Sequence, residues 1–388
     1  GPLLQAWFSR TGHPHADDPY FLYGASNIGS FASLILYIIA IEPVLSVTGQ
    51  SSAWTGGFAL LGLMIACCAL LAGGGEPVLR SAIAEARPGP ALEAAASPMR
   101  KARWVLLAAL PSALLVAVTA HISMDIAAAP FLWVLPLALF LLTFVIAFAR
   151  RQWVKPETIG ALLPLLGAIL FVSMGIGSLL PVWLVLLCHL AFFFMAALMA
   201  HLLLVADRPD ASGLTGFYFW MSLGGVLGGA FTTLASPALF SWVAEYPLLI
   251  LAALFLRPGI WKGDRREMFV VAGLAVMAAL VLNLPPVIAA MPQGTGFFAL
   301  SIAGFAFAAA LIRYRSEALH AGFAILAIGF LFVVQSGIGT LSSERSFYGV
   351  VKAFTTADGR FTVMAHGTTE HGAMRNEERA GIPTPIAS

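Results

Sequence analysis

Charge is what this sequence has least of: 10% of its 388 residues are Asp, Glu, Lys or Arg, against roughly a quarter in a soluble globular domain. With 60% apolar residues it has too little polar surface to cover a water-facing fold, which excludes a soluble core protein. The net charge of +2 and the lack of any basic block leave no electrostatic footprint for nucleic acid. Cysteine is scarce as well. Cys67, Cys68 and Cys188 fall inside apolar runs, without CxxC spacing or an even framework, and read as small buried hydrophobes. No Walker sequence occurs, nor a G-x-G-x-x-G element between a strand and a helix.

What is present is a recurrence of apolar runs of about twenty residues, each long enough to cross some 30 Å of hydrocarbon at 1.5 Å per helical residue. Eleven spans are expected, near 20–45, 54–73, 104–123, 129–149, 158–178, 180–205, 214–236, 243–257, 268–284, 295–313 and 319–336. The fold class is thus an all-α polytopic membrane protein. The eighth run is short, and Pro285, Pro286 and Pro292 interrupt the pattern, so a re-entrant piece is also compatible.

Lys and Arg alternate between connections. Segments 1–19, 74–103, 150–157, 206–213, 257–267 and 313–318 hold 1, 5, 3, 1, 4 and 2 of them, whereas 46–53, 124–128, 179, 237–242 and 285–294 hold none. Cytoplasmic loops carry the positive excess, so the first set is expected inside and, on an eleven-span count, the tail outside. Segment 1–19 reads as the end of a preceding span and a cytoplasmic loop, which predicts an N-terminally truncated chain. The expected organisation continues with a helical hairpin over 20–73, a Gly, Ala and Pro-rich cytoplasmic linker over 74–103, the main bundle over 104–337 and a separate element over 338–388.

Polar residues inside apolar helices mark packing or function. Tyr23, Asn27, Ser30 and Tyr37, with Ser26 and Ser33 beside them, form one stripe, suited to interhelical hydrogen bonding or to lining a solute or lipid-headgroup cavity. His121 and Asp125 stand four residues apart at a span end, on one face if the α-helix continues. That spacing serves a structural pair or a proton-coupled or ligand role; too few donors surround it for a metal. His189 and His201 share a span but sit about 120° apart on it, so they are not expected to pair. Glu245 and Asp207-Arg208 are expected in water near span ends. In SLGGVLGGAF, Gly224 with Gly228 and Gly225 with Gly229 predict close helix packing.

After Gln335 the apolar pattern ends. Asp358-Gly359 is a turn dipeptide and FTVMAH alternates, so two short strands joined by a turn are expected. A lone hairpin is marginal in water, and this one should pack on the bundle or belong to something larger.

The runs GPLLQAWFSRTGHPHADDPYFLYGASNIGS, PFLWVLPLALFLLTFVIAF, GLTGFYFWMSLGGVLGGAF, AEYPL, SERSFYGVVKAF and HGTTEHG together resemble the bacterial fused MFS/spermidine synthase proteins. The resemblance implies a multi-pass, MFS-like bundle in the bacterial inner membrane, followed by a polyamine aminopropyltransferase-like domain. Such a domain would take decarboxylated S-adenosylmethionine as donor and a polyamine or similar amine as acceptor. Residues 338–388 would be its opening β element, with the Rossmann-like remainder absent, so no catalytic base or bound cofactor is carried over. His366, Gly367, Thr368, Thr369, His371 and Gly372 agree with the pattern HGTTxHGxQ, which implies weak substrate contacts at His366, Thr368, Thr369 and His371. Met374 stands where that pattern has Gln. A small-solute transporter and a membrane scaffold are the alternatives.

Overall fold

The computed structural model describes residues 2–9, 11, 13–72, 96–126, 132–176, 180–256, 266, 340–346, 349–356, 358–367 and 369–376. Helices α1 (Pro2–Phe8), α2 (Phe21–Leu36), α3 (Val47–Ala72), α4 (Pro98–His121), α5 (Val134–Ala147), α6 (Pro156–Ile176), α7 (Val182–Ala206), α8 (Leu214–Ala230) and α9 (Glu245–Leu254) precede four strands. Five helical stretches are long and apolar enough to cross a membrane: Phe21–Val44, Val47–Leu71, Pro98–Met124, Val182–Ala206 and Ala211–Leu239. The described residues therefore support five crossings and not the expected eleven. The reason is length. α5 has 14 residues and α9 has 10, or about 21 and 15 Å of helix, and of α6 only Pro156–Phe171 counts as apolar helix. The spans expected at 268–284, 295–313 and 319–336, and most of the linker, lie outside the described residues.

Three helices end in a widened π turn, at Tyr37–Ile41, Ile122–Ile126 and Phe231–Ala235. Proline explains two of them. Pro43 and Pro237 each lack an N–H and would crowd the carbonyl four residues back. The residue before each bonds five residues back instead, Glu42 N–H to the Tyr37 carbonyl and Ser236 N–H to the Phe231 carbonyl, which makes room for the ring.

The chain divides into two compact units. One comprises Gly1–Ala108, Leu137–Trp153 and His201–Gly224. At its centre Tyr23 packs against Phe144, Phe148 and Tyr218 with ring centroids 5.3, 4.9 and 5.1 Å away. Gln5, on α1, is buried. α3 is exposed along nearly its whole length, as an apolar helix in lipid can be, because hydrocarbon solvates it as well as protein does. Hence Cys67 and Cys68 are exposed and Cys188 half-buried, which corrects the expectation that all three are buried.

The other unit comprises Ala109–Pro136, Val154–Ala200 and Gly225–Ser388. Leu114, Ala117, Val118, Leu163, Leu170, Phe192, Phe193 and Ile250 form its core. Gly228 meets α4 so closely that a Cβ would overlap the Ala109 carbonyl, its carbon 2.8 Å away. The Ser112 hydroxyl donates to the Gly225 carbonyl at 2.8 Å and Thr232 to Ala113 at 3.3 Å. Within the first unit Gly224 abuts Val105 and Ala108 in the same way, whereas Gly225 has nothing within 4 Å of a Cβ. Of the two glycine pairs, Gly224 and Gly228 are the packing pair.

The tail is a four-stranded antiparallel meander, β1 (Thr340–Ser346), β2 (Gly349–Thr355), β3 (Phe361–His366) and β4 (Thr369–Arg375), in sheet order. This replaces the expected two strands. The Asp358-Gly359 turn forms as expected, joining β2 to β3. The Asp358 carboxylate accepts from the Thr356 hydroxyl and the Arg360 N–H, in that order the causes that hold it below the usual carboxylate range. The sign follows from linkage: the bonds help the fold above the unfolded-state pKa and are lost only as pH falls through the lower folded one.

Gly228→Ala forces helices apart and is expected to cost about 1–3 kcal/mol as overpacking, read as a lower unfolding midpoint in detergent. Gly225→Ala meets nothing and is expected to stay within about 0.5 kcal/mol of the parent.

Candidate functional site

The residues with most chemical potential gather in the second unit, where the sheet meets the starts and ends of helices. β1 brings Arg345 to the first turn of α9. Its guanidinium donates to Glu245 through two nitrogens at 2.8 and 2.6 Å and also to the Trp242 carbonyl. Both side chains are buried, at 8% and 3% exposure. The Ser343 hydroxyl donates to the Ser241 carbonyl at 3.3 Å. Glu245 is thus not the solvated residue expected from its place near a span end. A carboxylate in the first turn also gains from the positive end of the helix dipole, and the guanidinium fork meets both its oxygens.

Gly349 is the second point of contact. Its φ of +133° suits only glycine, and a Cβ there would lie 2.5 Å from His366 Nε2 and 3.2 Å from Met124 Cε. The sheet therefore seats its β2 start against the π turn that follows α4.

Next to Glu245 stands Tyr246, whose hydroxyl lies 2.7 Å from His189 Nδ1. The His189 ring is stacked on Tyr246 and 4.6 Å from the His121 ring. Both His189 and Tyr246 are fully buried, and His189 Nε2 has no hydrogen-bond partner among the described residues. The expected partner of His121 was Asp125. The α-helix ends at His121, and Asp125 falls in the π turn Ile122–Ile126. The side chain of Asp125 lies outside the described residues. His189 was dismissed in the sequence because only its relation to His201 on one helix was readable; its partners come from α4 and α9.

His201 belongs to the first unit. Its Nδ1 lies 2.9 Å from Thr143 Oγ1 and its ring stacks on Phe144 at 3.8 Å. Thr143 gives its one proton to the Phe140 carbonyl at 2.6 Å. His201 Nδ1 is therefore the donor, and the tautomer is fixed.

The polar stripe of α2 splits. Tyr23 and Asn27 face protein, the Asn27 amide donating to the Tyr23 carbonyl at 2.8 Å. Ser30 is exposed and satisfied by its own helix through Ser26, and Tyr37 reaches Gln50 at 3.2 Å. Packing, not a shared cavity, explains Tyr23 and Asn27. Asp207 and Arg208 are not simply solvated. Arg100 donates to the Asp207 carboxylate and carbonyl at 3.1 and 2.8 Å, Trp104 donates to the same carbonyl, and Arg208 pairs with Asp18 at 2.8 Å. The Tyr20 hydroxyl donates to the Pro209 carbonyl at 3.0 Å. Burial raises its pKa well above the usual phenol range, against an opposing pull from Arg208, so it stays a neutral donor.

In HGTTEHG, Gly367 takes φ +59° and turns the chain from His366 to its opposite number Thr369. The β3–β4 register then slips, Ala365 facing Glu370 and Met364 facing Gly372, with His371 in the extra place. Turn and bulge together bring the His366 and His371 rings within 6.2 Å. Thr369 is exposed, Met374 half-buried opposite Thr362, and Thr368 lies outside the described residues. Among the described residues no three His, Cys, Asp or Glu side chains come together as a metal site would need.

No family model, curated protein or solved structure matches this chain.

Breaking a buried ion pair by removing one partner costs about 3–5 kcal/mol, whereas an apolar pair of similar volume can be tolerated. Glu245→Gln and Arg345→Met are each expected to raise hydrogen exchange of β1 by two orders of magnitude or more. The double variant Glu245→Leu with Arg345→Met is expected to recover part of that protection.

Proposed function

We propose that this chain is the membrane region of a spermidine-synthase-like protein, an MFS-like bundle in the bacterial inner membrane that carries and orients the opening β element of a synthase-like domain. The observation that supports this reading is the buried Arg345–Glu245 pair, since a domain that must be held at a membrane needs a rigid joint and not a tether. The residue pattern HGTTEHG and its turn-and-bulge hairpin add to it. In this reading decarboxylated S-adenosylmethionine and a polyamine are ligands of the complete domain, and His366, Thr368, Thr369 and His371 are rim contacts and not catalytic residues. Sequencing the reading frame downstream of Ser388 tests it. The expected outcome is a Gly-rich segment between a strand and a helix, with acidic residues beyond. A stop codon directly after Ser388, or an unrelated downstream domain, refutes it.

A second reading, an MFS-like transporter of a small solute such as a polyamine, draws on His189, Tyr246 and His121, because ionisable groups in apolar helices mark solute or proton routes. Under it, proteoliposomes take up labelled spermidine and His189→Gln lowers the rate at least tenfold. Uptake equal to empty liposomes excludes it.

A further inference from the structure

We propose that the β-sheet sits on the non-cytoplasmic side of the membrane and caps the buried His189–Tyr246 site from that side. Sidedness follows from where the sheet is fastened. Its contacts among the described residues include the Trp242 carbonyl, Glu245, Ser241 and Met124. These belong to two connections, 124–128 and 237–242, and to the residues directly after the second, and neither connection contains Lys or Arg. The same helices point the other way at their basic ends. The crossing stretch Pro98–Met124 runs to the sheet from segment 74–103 with its five Lys and Arg, and Ala211–Leu239 runs to 237–242 from segment 206–213 with its Arg208. Positive residues stay in the cytoplasm, so the sheet is on the opposite face. This argument needs no count of spans beyond Leu254. Of the sheet's basic residues, Arg345 at the joint is neutralised by Glu245, and Lys352, Arg360 and Arg375 are the positive charge that the two Lys- and Arg-free connections outweigh.

The cap follows from shared elements. The first turn of α9 supplies Glu245 to the sheet and Tyr246 to His189. The end of α4 supplies His121 to the imidazole pair and, three residues on, Met124 to the sheet. Among the described residues nothing reaches His189 Nε2, and a buried imidazole nitrogen left unpaired is costly unless a partner comes and goes. The chemistry present suits a proton or a hydrogen-bonding group arriving at Nε2, and not a metal, for which the described residues offer too few donors. It also means that any ligand of the sheet arrives from outside the cytoplasm. This inference does not rest on the synthase-like reading and conflicts with it at one point, because decarboxylated S-adenosylmethionine is a cytosolic donor.

Two measurements test it. In bacterial cells carrying a variant without cysteine (Cys67→Ser, Cys68→Ser, Cys188→Ser), Glu370→Cys on exposed β4 is expected to react with a membrane-impermeant maleimide before lysis, and Asp210→Cys, exposed at the basic end of the crossing stretch Ala211–Leu239, only after it. Any other pattern overturns the sidedness, whatever the downstream domain proves to be. In nanodiscs, diethyl pyrocarbonate is expected to modify His189 at least tenfold faster in Arg345→Met than in the parent, by mass spectrometry, while buried His201 in the other unit keeps its rate. No acceleration at His189 overturns the cap, and so does equal acceleration at both histidines, which would report unfolding.

Discussion

The second unit depends on one constraint, that a charge taken out of water must be met by another. Glu245 opens α9 with 3% of its side chain exposed, in a helix whose other residues are apolar. Arg345 meets it, and in doing so fixes more than a contact. Arg345 faces Val350 across the β1–β2 ladder, and side chains alternate along a strand. A shift of one residue would turn the guanidinium to the far face. The pair therefore selects the register of β1, and through it the face on which Val350, Val363 and Ala365 become buried.

Packing in the helical part answers a different constraint. Lipid gives apolar side chains no reason to prefer protein, so helices associate where backbones come close and polar groups bond across. Gly224 and Gly228 let α8 approach α4, and Ser112 and Thr232 then find carbonyls on the neighbouring helix. The prolines at 43 and 237 add widened turns at two helix ends. These turns change which residues share a face, and a purely α-helical projection fails beyond them.

That failure marks how far the sequence could be read. Composition and run length foretold a helical membrane protein, and the glycine spacing foretold its close contact, because both depend on local pattern. The π turn after His121 is announced by no proline, and the pairing of His121 with Asp125 lies outside the described side chains. Glu245 was judged by its place near a span end, and nothing local shows that an arginine a hundred residues later will cover it. The tail was undercounted for a related reason. β1, TLSSERS, has no alternation of apolar residues, and β4 is nearly all exposed, so only the ladder itself makes them strands. The HGTTEHG turn was legible, but the bulge that brings His366 and His371 together is a property of pairing and leaves no signal along the chain.

The two buried histidines of α7 show what separates a structural imidazole from one that can work. Each has Nδ1 bonded to a hydroxyl and Nε2 without a partner among the described residues. For His201 the hydroxyl is already committed, since Thr143 gives its proton to its own helix, and the ring lies stacked on Phe144. That arrangement has one state. For His189 the Tyr246 phenol makes no second bond in the described residues, so it can either donate or accept, and the tautomer can exchange. A second imidazole lies 4.6 Å away, and the residue before the phenol holds the sheet. Of the two, the His189 arrangement has two states of similar bonding, and the residue next to its phenol partner is the one that holds the sheet.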